Sequence, residues 1–227
     1  MILAAGRGER LRPLTDATPK PLLEVGGRPL IEWHVLRLAD AGVRELVVNH
    51  AHLGAEIERR LGDGGRFGVA IRYSREPEGA LETAGGIALA RALLGEAPFI
   101  LVNADVYTDF PFAELTSLAP ELAAGTADAA LVLVPNPPHH PQGDFSLEGD
   151  RAGNDGARRL TYAGVALMHP RLVADVAAGE RAPLGPRLKA SAAKRRLLAR
   201  RFDGVWFDVG TAERLEQARA AAAARVR

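Results

Sequence analysis

The chain reads as an α/β protein built on a mixed, mostly parallel sheet flanked by helices, and three observations carry that reading. Short apolar runs alternate with stretches of helical periodicity from residue 1 to residue 134, the pattern imposed by a parallel sheet buried on both faces. The longest of these runs, such as Pro98–Val102 and Ala129–Val134, suit buried strands and fall far short of the ~18 residues a membrane span needs. With 227 residues, 47% hydrophobic and 25% charged, there is enough apolar material to close one large core without disulfides or metals.

Element by element, Met1–Ala5 is a short buried strand and Gly6–Pro21 a loop rich in glycine, arginine and proline. Leu30–Ala41 sets Leu30, Ile31, Val35, Leu36 and Leu38 at helical spacing, and Gly42 stops it. Leu46–Val48 is a strand, and Leu53–Leu61 a charged amphipathic helix ended by Gly62-Asp63-Gly64-Gly65. Then come a strand at Val69–Tyr73, a helix at Gly86–Leu94, a continuous apolar strand at Phe99–Asn103, a helix at Phe112–Ala123 and a strand at Ala129–Val134. The pattern changes at Pro135. Pro135–Gly156 is rich in Pro, Gly, Asn and Asp, with one short strand at Phe145–Glu148. Beyond it are a strand at Leu160–Met168, a helix at Arg171–Ala178, strands at Leu197–Phe202 and Val205–Asp208, and a helix at Thr211–Arg225 with Thr211 as its N-cap. Arg181–Arg201 holds eight Lys or Arg and no acid. It reads as a solvated helix face plus an edge strand, with a polyanion site as the alternative.

The balance of 29 Lys plus Arg against 28 Asp plus Glu gives a formal charge of +1. It offers no global electrostatic case for nucleic acid or a membrane as partner. The absence of cysteine excludes disulfides, thiolate metal sites and a Cys nucleophile. The apolar opening is too short for a signal sequence, so a cytoplasmic location is expected.

The chemistry begins directly after the first strand. In Gly6-Arg7-Gly8-Glu9-Arg10-Leu11-Arg12-Pro13-Leu14-Thr15, Gly6 and Gly8 let the backbone approach an oxyanion with no Cβ in the way. Arg10 adds a planar, permanently charged fork. Lys20 sits between Pro19 and Pro21, which fixes its position and biases it toward an extended backbone. The Gly-x-x-x-x-Gly-Lys-Ser/Thr pattern of a P-loop is missing, and Leu11 stands where a dinucleotide fingerprint needs its third glycine. A generic cofactor binder is therefore disfavoured.

Two aspartates end apolar segments: Asp105 after Phe99–Asn103, and Asp208 after Val205–Phe207. Taken singly each reads as a turn or capping residue. Together, at strand ends in a chain with a phosphate loop, they read as ligands of a hard divalent cation. Gly85-Gly86, ahead of a helix, would let backbone read the edge of a base, with a plain helix start as the alternative. Ala5 and Gly6 would cover another edge, and Asn103 would reach ribose or phosphate. His139-His140 reads as loop rather than metal site.

Leu3-Ala4-Ala5-Gly6-x-Gly8-x-Arg10-x-x-Pro13-Leu14-Thr15 and Pro19-Lys20-Pro21-Leu22 resemble the signature of sugar-1-phosphate nucleotidylyltransferases. So do Leu81-Glu82-Thr83-Ala84-Gly85-Gly86-Ile87, Asn103-Ala104-Asp105 and Trp206-Phe207-Asp208-Val209-Gly210-Thr211. The resemblance spans nearly the whole chain. A narrower likeness, to the uridylyltransferases of peptidoglycan recycling, rests on Asn49-His50-Ala51, Gly62-Asp63-Gly64, Leu81-Glu82-Thr83 and His139-His140-x-x-Gly143-Asp144-Phe145.

The resemblance implies a Rossmann-like nucleotidyltransferase fold with a sugar-binding insertion, in a single domain spanning 1–227. Residues 1–134 would mainly bind nucleotide and residues 135–227 mainly sugar. It implies UTP and a sugar 1-phosphate as substrates, and Mg2+ held by Asp105 and Asp208. Lys20 and Arg10 would act on the phosphates. The nucleotide site would also include Leu3, Ala4, Gly8 and Glu9. Gly143, Asp144, Asn154, Tyr162 and Gly164 are the candidates for sugar contacts, with Asp144 standing in for a glutamate that relatives carry. Relatives also place a lysine near Pro186, for which Arg187 or Lys189 are the substitutes here. GTP with mannose 1-phosphate, TTP with glucose 1-phosphate, and a catalytically silent nucleotide-sugar sensor are the competing readings. Either a monomer or a homodimer is compatible with the sequence.

Overall fold

The computed structural model describes residues 1–77, 81–156 and 158–224. It is a mixed α/β fold with a mostly parallel central sheet. In chain order the elements are β1 (Ile2–Leu3), α1 (Leu14–Ala17), the β2–β3 hairpin (Glu24–Val25, Arg28–Pro29), α2 (Leu30–Asp40), β4 (Glu45–His50), α3 (Gly54–Leu61), β5 (Ala70–Arg75) and α4 (Glu82–Leu94). Next are β6 (Phe99–Asn103), β7 (Val106–Thr108), α5 (Ala113–Thr116), α6 (Ala119–Ala123), β8 (Ala129–Val134), β9 (Phe145–Glu148), β10 (Arg151–Gly153) and β11 (Arg159–Met168). The last are α7 (Gly185–Ala193), β12 (Leu197–Arg201), β13 (Trp206–Asp208) and α8 (Ala212–Ala224).

Several expectations are corrected. Phe112–Ala123 is two short helices, because Pro120 lacks the N–H an inner helical turn needs and instead opens α6. Arg171–Ala178 reduces to one 3-10 turn at Pro170–Val173. Gly185–Ala193 is a helix, begun by Pro186 in its first turn. Thr211 does cap α8, its Oγ1 accepting from the Arg214 amide at 3.3 Å, while the expected end at Arg225 lies outside the described residues. The basic stretch splits between α7 and β12, but β12 is no edge strand. It lies between β8, which it pairs in parallel, and β10, which it pairs antiparallel.

The chain forms two compact units interleaved in sequence. The first comprises Met1–Ala80, Val102–Pro111 and Val205–Arg227, and the second Leu81–Leu101 and Phe112–Gly204. In the first unit β1 is flanked in parallel by β4 and by the end of β6, with Ile2 opposite both Val48 and Val102. All three are fully buried, as a strand covered on both faces requires. The strand stops at Leu3, so the glycine–arginine loop leaves from the carboxyl edge of the sheet, where open α/β sheets receive ligands. A separate ladder joins β7 to β13 antiparallel. A core of Leu11, Leu23, Val25, Tyr107, Val209 and Leu215, with Trp33 and Phe207 against it, fastens the loop, the ladder and α8 together.

In the second unit β8 pairs with β11 and β12, and β10 pairs with β12 and β9. β9 then returns to pair with the start of β11. The β11–β8 register shifts between Tyr162 and Ala166, and Gly164, at φ +71°, sits inside that bulge. Asp128 anchors this unit. Its buried carboxylate accepts from Arg196 at 2.6 and 3.0 Å and from Ser191 at 2.9 Å. Burial pushes its pKa up, but the Arg196 and Ser191 hydrogen bonds outweigh that and hold it below the ordinary carboxylate range. Among the described residues no helix is long and apolar enough to cross a membrane.

Candidate active site

The candidate residues of the first unit converge. Gly8 takes a left-handed backbone at φ +71°, ψ 35°, and its carbonyl accepts from Thr15 Oγ1 at 2.9 Å. A Cβ there would lie 3.0 Å from Thr15 Cγ2 and 3.2 Å from Lys20 Cβ. The glycine is therefore required both by its conformation and by the close passage of Lys20. Lys20 does not extend as Pro21 predicts. It opens a 3-10 turn, Lys20–Leu22, tied by the Leu22 amide to the Pro19 carbonyl at 2.8 Å. Its placement is still rigid: the side chain is only 10% exposed and its ammonium pairs with Asp105 Oδ2.

Asp105 lies between β6 and β7. Across the ladder Asp208 stands opposite Val106, and the Val209 amide donates to the Asp105 carbonyl at 2.9 Å. The antiparallel register thus sets two carboxylate residues, 103 positions apart in sequence, on neighbouring strands one residue out of step. Each has a cationic partner. Asp105 pairs with Lys20, and Asp208 Oδ2 accepts from Arg214 Nη1 at 2.7 Å. The two carboxylates remain about a third exposed. Arg10, on the 3-10 turn Glu9–Leu11, is exposed and has no ion-pair or hydrogen-bond partner among the described residues. Its Nη2 lies 3.2 Å from where a Cβ on Gly210 would be.

The donor chemistry fits a divalent cation that prefers oxygen. Two adjacent carboxylates are the protein share that magnesium ordinarily takes, the rest coming from phosphate and water. No group of three His, Cys, Asp or Glu is assembled among the described residues, and such an ion needs none.

The strand that supplies Asp105 is braced from behind. His34, fully buried on α2, donates from Nε2 to the Val106 carbonyl at 2.7 Å. Burial lowers its pKa to about 4, so it is neutral. Arg37, one turn on, donates to the Thr108 carbonyl. Around the loop, Arg7 donates to the Thr15 carbonyl at 3.0 Å. Glu9 pairs only loosely with Arg7 and Arg12, at 3.7 and 3.6 Å.

Other expected contacts are engaged inside the protein. The Leu3 carbonyl accepts from the Ala104 amide at 2.9 Å. The Ala4 amide donates to Asn49 Oδ1 at 2.9 Å, and Asn49 Nδ2 donates to the buried Glu76 at 2.5 Å. Leu3 ends β1 and Ala4 follows it, while Ala5 is buried and Gly6 is exposed with open space where a Cβ would go. Asn103, half-buried, ends β6.

In the second unit Gly85-Gly86 lies within the first turns of α4, not ahead of it. The amides of Ala84 and Gly85 donate to the Ala182 carbonyl at 3.0 and 3.1 Å, and a Cβ on Gly85 would overlap the Glu180 carbonyl. Gly85 is there for close backbone packing. Asp144 is an internal brace as well, accepting from the Tyr162 amide at 2.8 Å and paired with His140 at 3.1 Å. Gly143, at φ +63°, passes against the backbone of Arg159 and Leu160. Tyr162 Oη and Asn154 Oδ1 are buried with no hydrogen-bond partner among the described residues. Burial, then the nearby Asp144 carboxylate, pushes the Tyr162 hydroxyl pKa well up. Of the substitutes near Pro186, Arg187 is paired with Asp175 and Lys189 is exposed.

A glycine loop leaving a parallel sheet, beside a seated lysine and two carboxylates, suits the handling of phosphate groups. Residues 1–151 match the family model described as nucleotidyl transferase, and the chain belongs to that family. It is a nucleotidyltransferase. It is 52% identical over 227 residues to N-acetylmuramate alpha-1-phosphate uridylyltransferase of Neisseria meningitidis serogroup B, covering 99% of this chain and 98% of that protein. The protein of the same name from Caulobacter vibrioides is 36% identical, covering 100% and 96%. The mannose-1-phosphate guanylyltransferase catalytic subunit beta of Drosophila melanogaster is 40% identical over 118 residues, which covers 51% of this chain and 32% of that one. Among solved structures, UDP-glucose pyrophosphorylase complexed with UDP-glucose superimposes with a TM-score of 0.77 at 19% identity, over 99% of this chain and 97% of that one. That likeness shows the fold alone.

Proposed function

We propose that the chain transfers a uridylyl group from UTP to N-acetylmuramate α-1-phosphate, giving the UDP-sugar and pyrophosphate. This is a step of peptidoglycan recycling in the cytoplasm. The observation that carries the chemistry is the convergence of Gly8, Lys20, Asp105 and Asp208 on one edge of the sheet. The full-length likeness to two proteins of that name supports the substrates.

In this reading a phosphate oxygen of the sugar attacks the α-phosphorus of UTP, a new P–O bond forms, and the bond to the β-phosphate breaks. The nucleophile is already largely dianionic at pH 7, since its second pKa lies near ~6, so no general base is needed. The protein supplies alignment and charge neutralisation. Asp105 and Asp208 would hold Mg2+, which when bound offsets phosphate charge. Lys20 serves the α-phosphate and the incoming sugar phosphate. Arg10 and the Gly6–Gly8 amides hold the departing pyrophosphate. Asn103 and Gly86 serve the nucleoside. Asn154 and Tyr162, whose buried oxygens lack hydrogen-bond partners among the described residues, are assigned to the sugar side. A silent sensor would be free to lose Lys20, Arg10 or the aspartates, and all are present.

The test is a pyrophosphate-release panel of four nucleoside triphosphates against several sugar 1-phosphates. UTP with N-acetylmuramate α-1-phosphate should exceed every other pair by at least about tenfold, and Lys20→Ala should lower that turnover at least about tenfold. Preference for GTP with mannose 1-phosphate would move the reading to the guanylyltransferases. No release from any pair would remove the enzymatic reading of the site.

A further inference from the structure

Arg214 is placed where electrostatics disfavours it. It lies in the first turn of α8, where the positive end of the helix dipole repels a cation. Its side chain is only 11% exposed. A Cβ on Gly210 would overlap Arg214 Nη2 and would stand 3.2 Å from Arg10 Nη2, so two guanidinium ends flank the same point above Gly210. Arg214 is steadied by Thr211 Oγ1, which accepts from its Nε at 3.4 Å, and by Asp208. Arg10 has no partner among the described residues. Two guanidinium groups thus stand beside the first turn of α8, one of them paired with Asp208, an arrangement suited to gripping the oxygens of an anion.

We infer that Arg214 and Arg10 form a two-guanidinium clamp for the pyrophosphate end of the nucleotide. Arg214 is held by Asp208 until a divalent cation takes that carboxylate. This assignment rests on the nucleotidyl-transfer reading above and names Arg214 as a phosphate-binding residue of the same site. The logic is an exchange of partners. While Asp208 faces Arg214, the carboxylate is neutralised and the guanidinium is parked. With Asp208 engaged in holding a divalent cation, the planar fork of Arg214 would turn to phosphate oxygens, which it can take two at a time. The handover makes cation binding and pyrophosphate binding mutually favourable. Gly210 is required because any side chain there would fill the gap between the two forks.

Inorganic pyrophosphate is the probe, titrated calorimetrically into the whole protein without divalent cation. Asp208→Asn should tighten pyrophosphate binding relative to the unaltered chain by releasing Arg214. In that background Arg214→Gln should weaken it at least about tenfold, with partial recovery in Arg214→Lys, which keeps the charge but not the fork. If Arg214 serves only to hold Asp208, then once Asp208 is replaced Arg214→Gln changes pyrophosphate affinity less than about twofold, and the clamp is refuted. Thermal unfolding of each variant identifies a folding defect, and Arg214→Lys keeps the comparison decisive where Arg214→Gln unfolds. The two readings fail separately. A chain that releases no pyrophosphate in the turnover panel defeats the transfer reaction. An active chain whose pyrophosphate affinity ignores Arg214 defeats only the clamp.

Discussion

Replacing Gly8 by alanine tests whether the loop conformation is what sets Lys20 in place. The position is left-handed at φ +71°, which costs an L-residue roughly 1–2 kcal/mol. The added methyl would stand 3.0 Å from Thr15 Cγ2 and 3.2 Å from Lys20 Cβ, so at least one neighbour must yield. Thr15 is fully buried and its hydroxyl is tied to the Gly8 carbonyl. Lys20 is tied to Asp105. Neither moves without disturbing the site, and a catalytic group displaced by ~1 Å loses on the order of a hundredfold in rate. Thermal unfolding of Gly8→Ala should therefore fall by about 3–6 °C, given ~2–4 °C per kcal/mol at this size. Turnover in the pyrophosphate-release assay should fall at least about tenfold at a temperature where the variant is folded. Gly6→Ala is the control. Its methyl meets nothing within 4 Å, so its stability should change by less than about 0.5 kcal/mol, and any loss of turnover there reports crowding of the ligand alone. A Gly8→Ala protein with unchanged melting temperature and turnover within twofold would refute the argument that this loop positions Lys20.

Two further outcomes concern the scaffold. Asp128→Ala leaves the Arg196 guanidinium and the Ser191 hydroxyl without their carboxylate, and because Arg196 is a third exposed the expected loss is about 2–3 kcal/mol, below the value for a fully buried pair; a urea-unfolding difference under about 1 kcal/mol would show that the pair does not anchor the second unit. His34, with its pKa lowered to about 4 by burial, refuses a proton that the unfolded chain accepts below its ordinary value of ~6.5. Between those limits the unfolded state binds more protons, so stability should fall on acidification from pH ~6.5 to ~4, by up to roughly 3 kcal/mol, and His34→Gln should flatten that slope in urea titrations.

The elements that the sequence predicted well are those whose cause is local. α2 has its apolar stripe within one window, and β8 is an unbroken apolar run with six buried residues. The failures have non-local or competing causes. β7 is only three residues long and becomes a strand because Trp206–Asp208 pairs with it across the chain. Nothing near Val106 signals that partner. β12 ends in Arg200-Arg201 and looked like an edge, yet its buried Leu197, Leu198 and Ala199 carry it between two strands. α7 was obscured by Gly185-Pro186, residues that break a helix in its middle but start one at its first turn.

The same distinction runs through the site. Gly8, Lys20, Asp105 and Asp208, the candidates that the fold brings together, each sit at a position whose local sequence restricts it: a glycine after a strand, a lysine between prolines, an acid at the end of an apolar run. Gly85 and Asp144 carried the same kind of signal, and both turn out to hold protein backbone, Gly85 at the Ala182 carbonyl and Asp144 at the Tyr162 amide. A residue type suited to gripping a ligand is equally suited to gripping a neighbouring strand, and only the partner distinguishes the two. Arg214 shows the converse. It is one of 29 Lys and Arg residues, on a helix face where arginine is ordinarily solvated. What marks it is that its guanidinium pairs with the carboxylate of Asp208 and, with that of Arg10, flanks the space above Gly210. That juxtaposition depends on the β7–β13 ladder, the β1 loop and α8 being folded against one core, and it exists only in three dimensions.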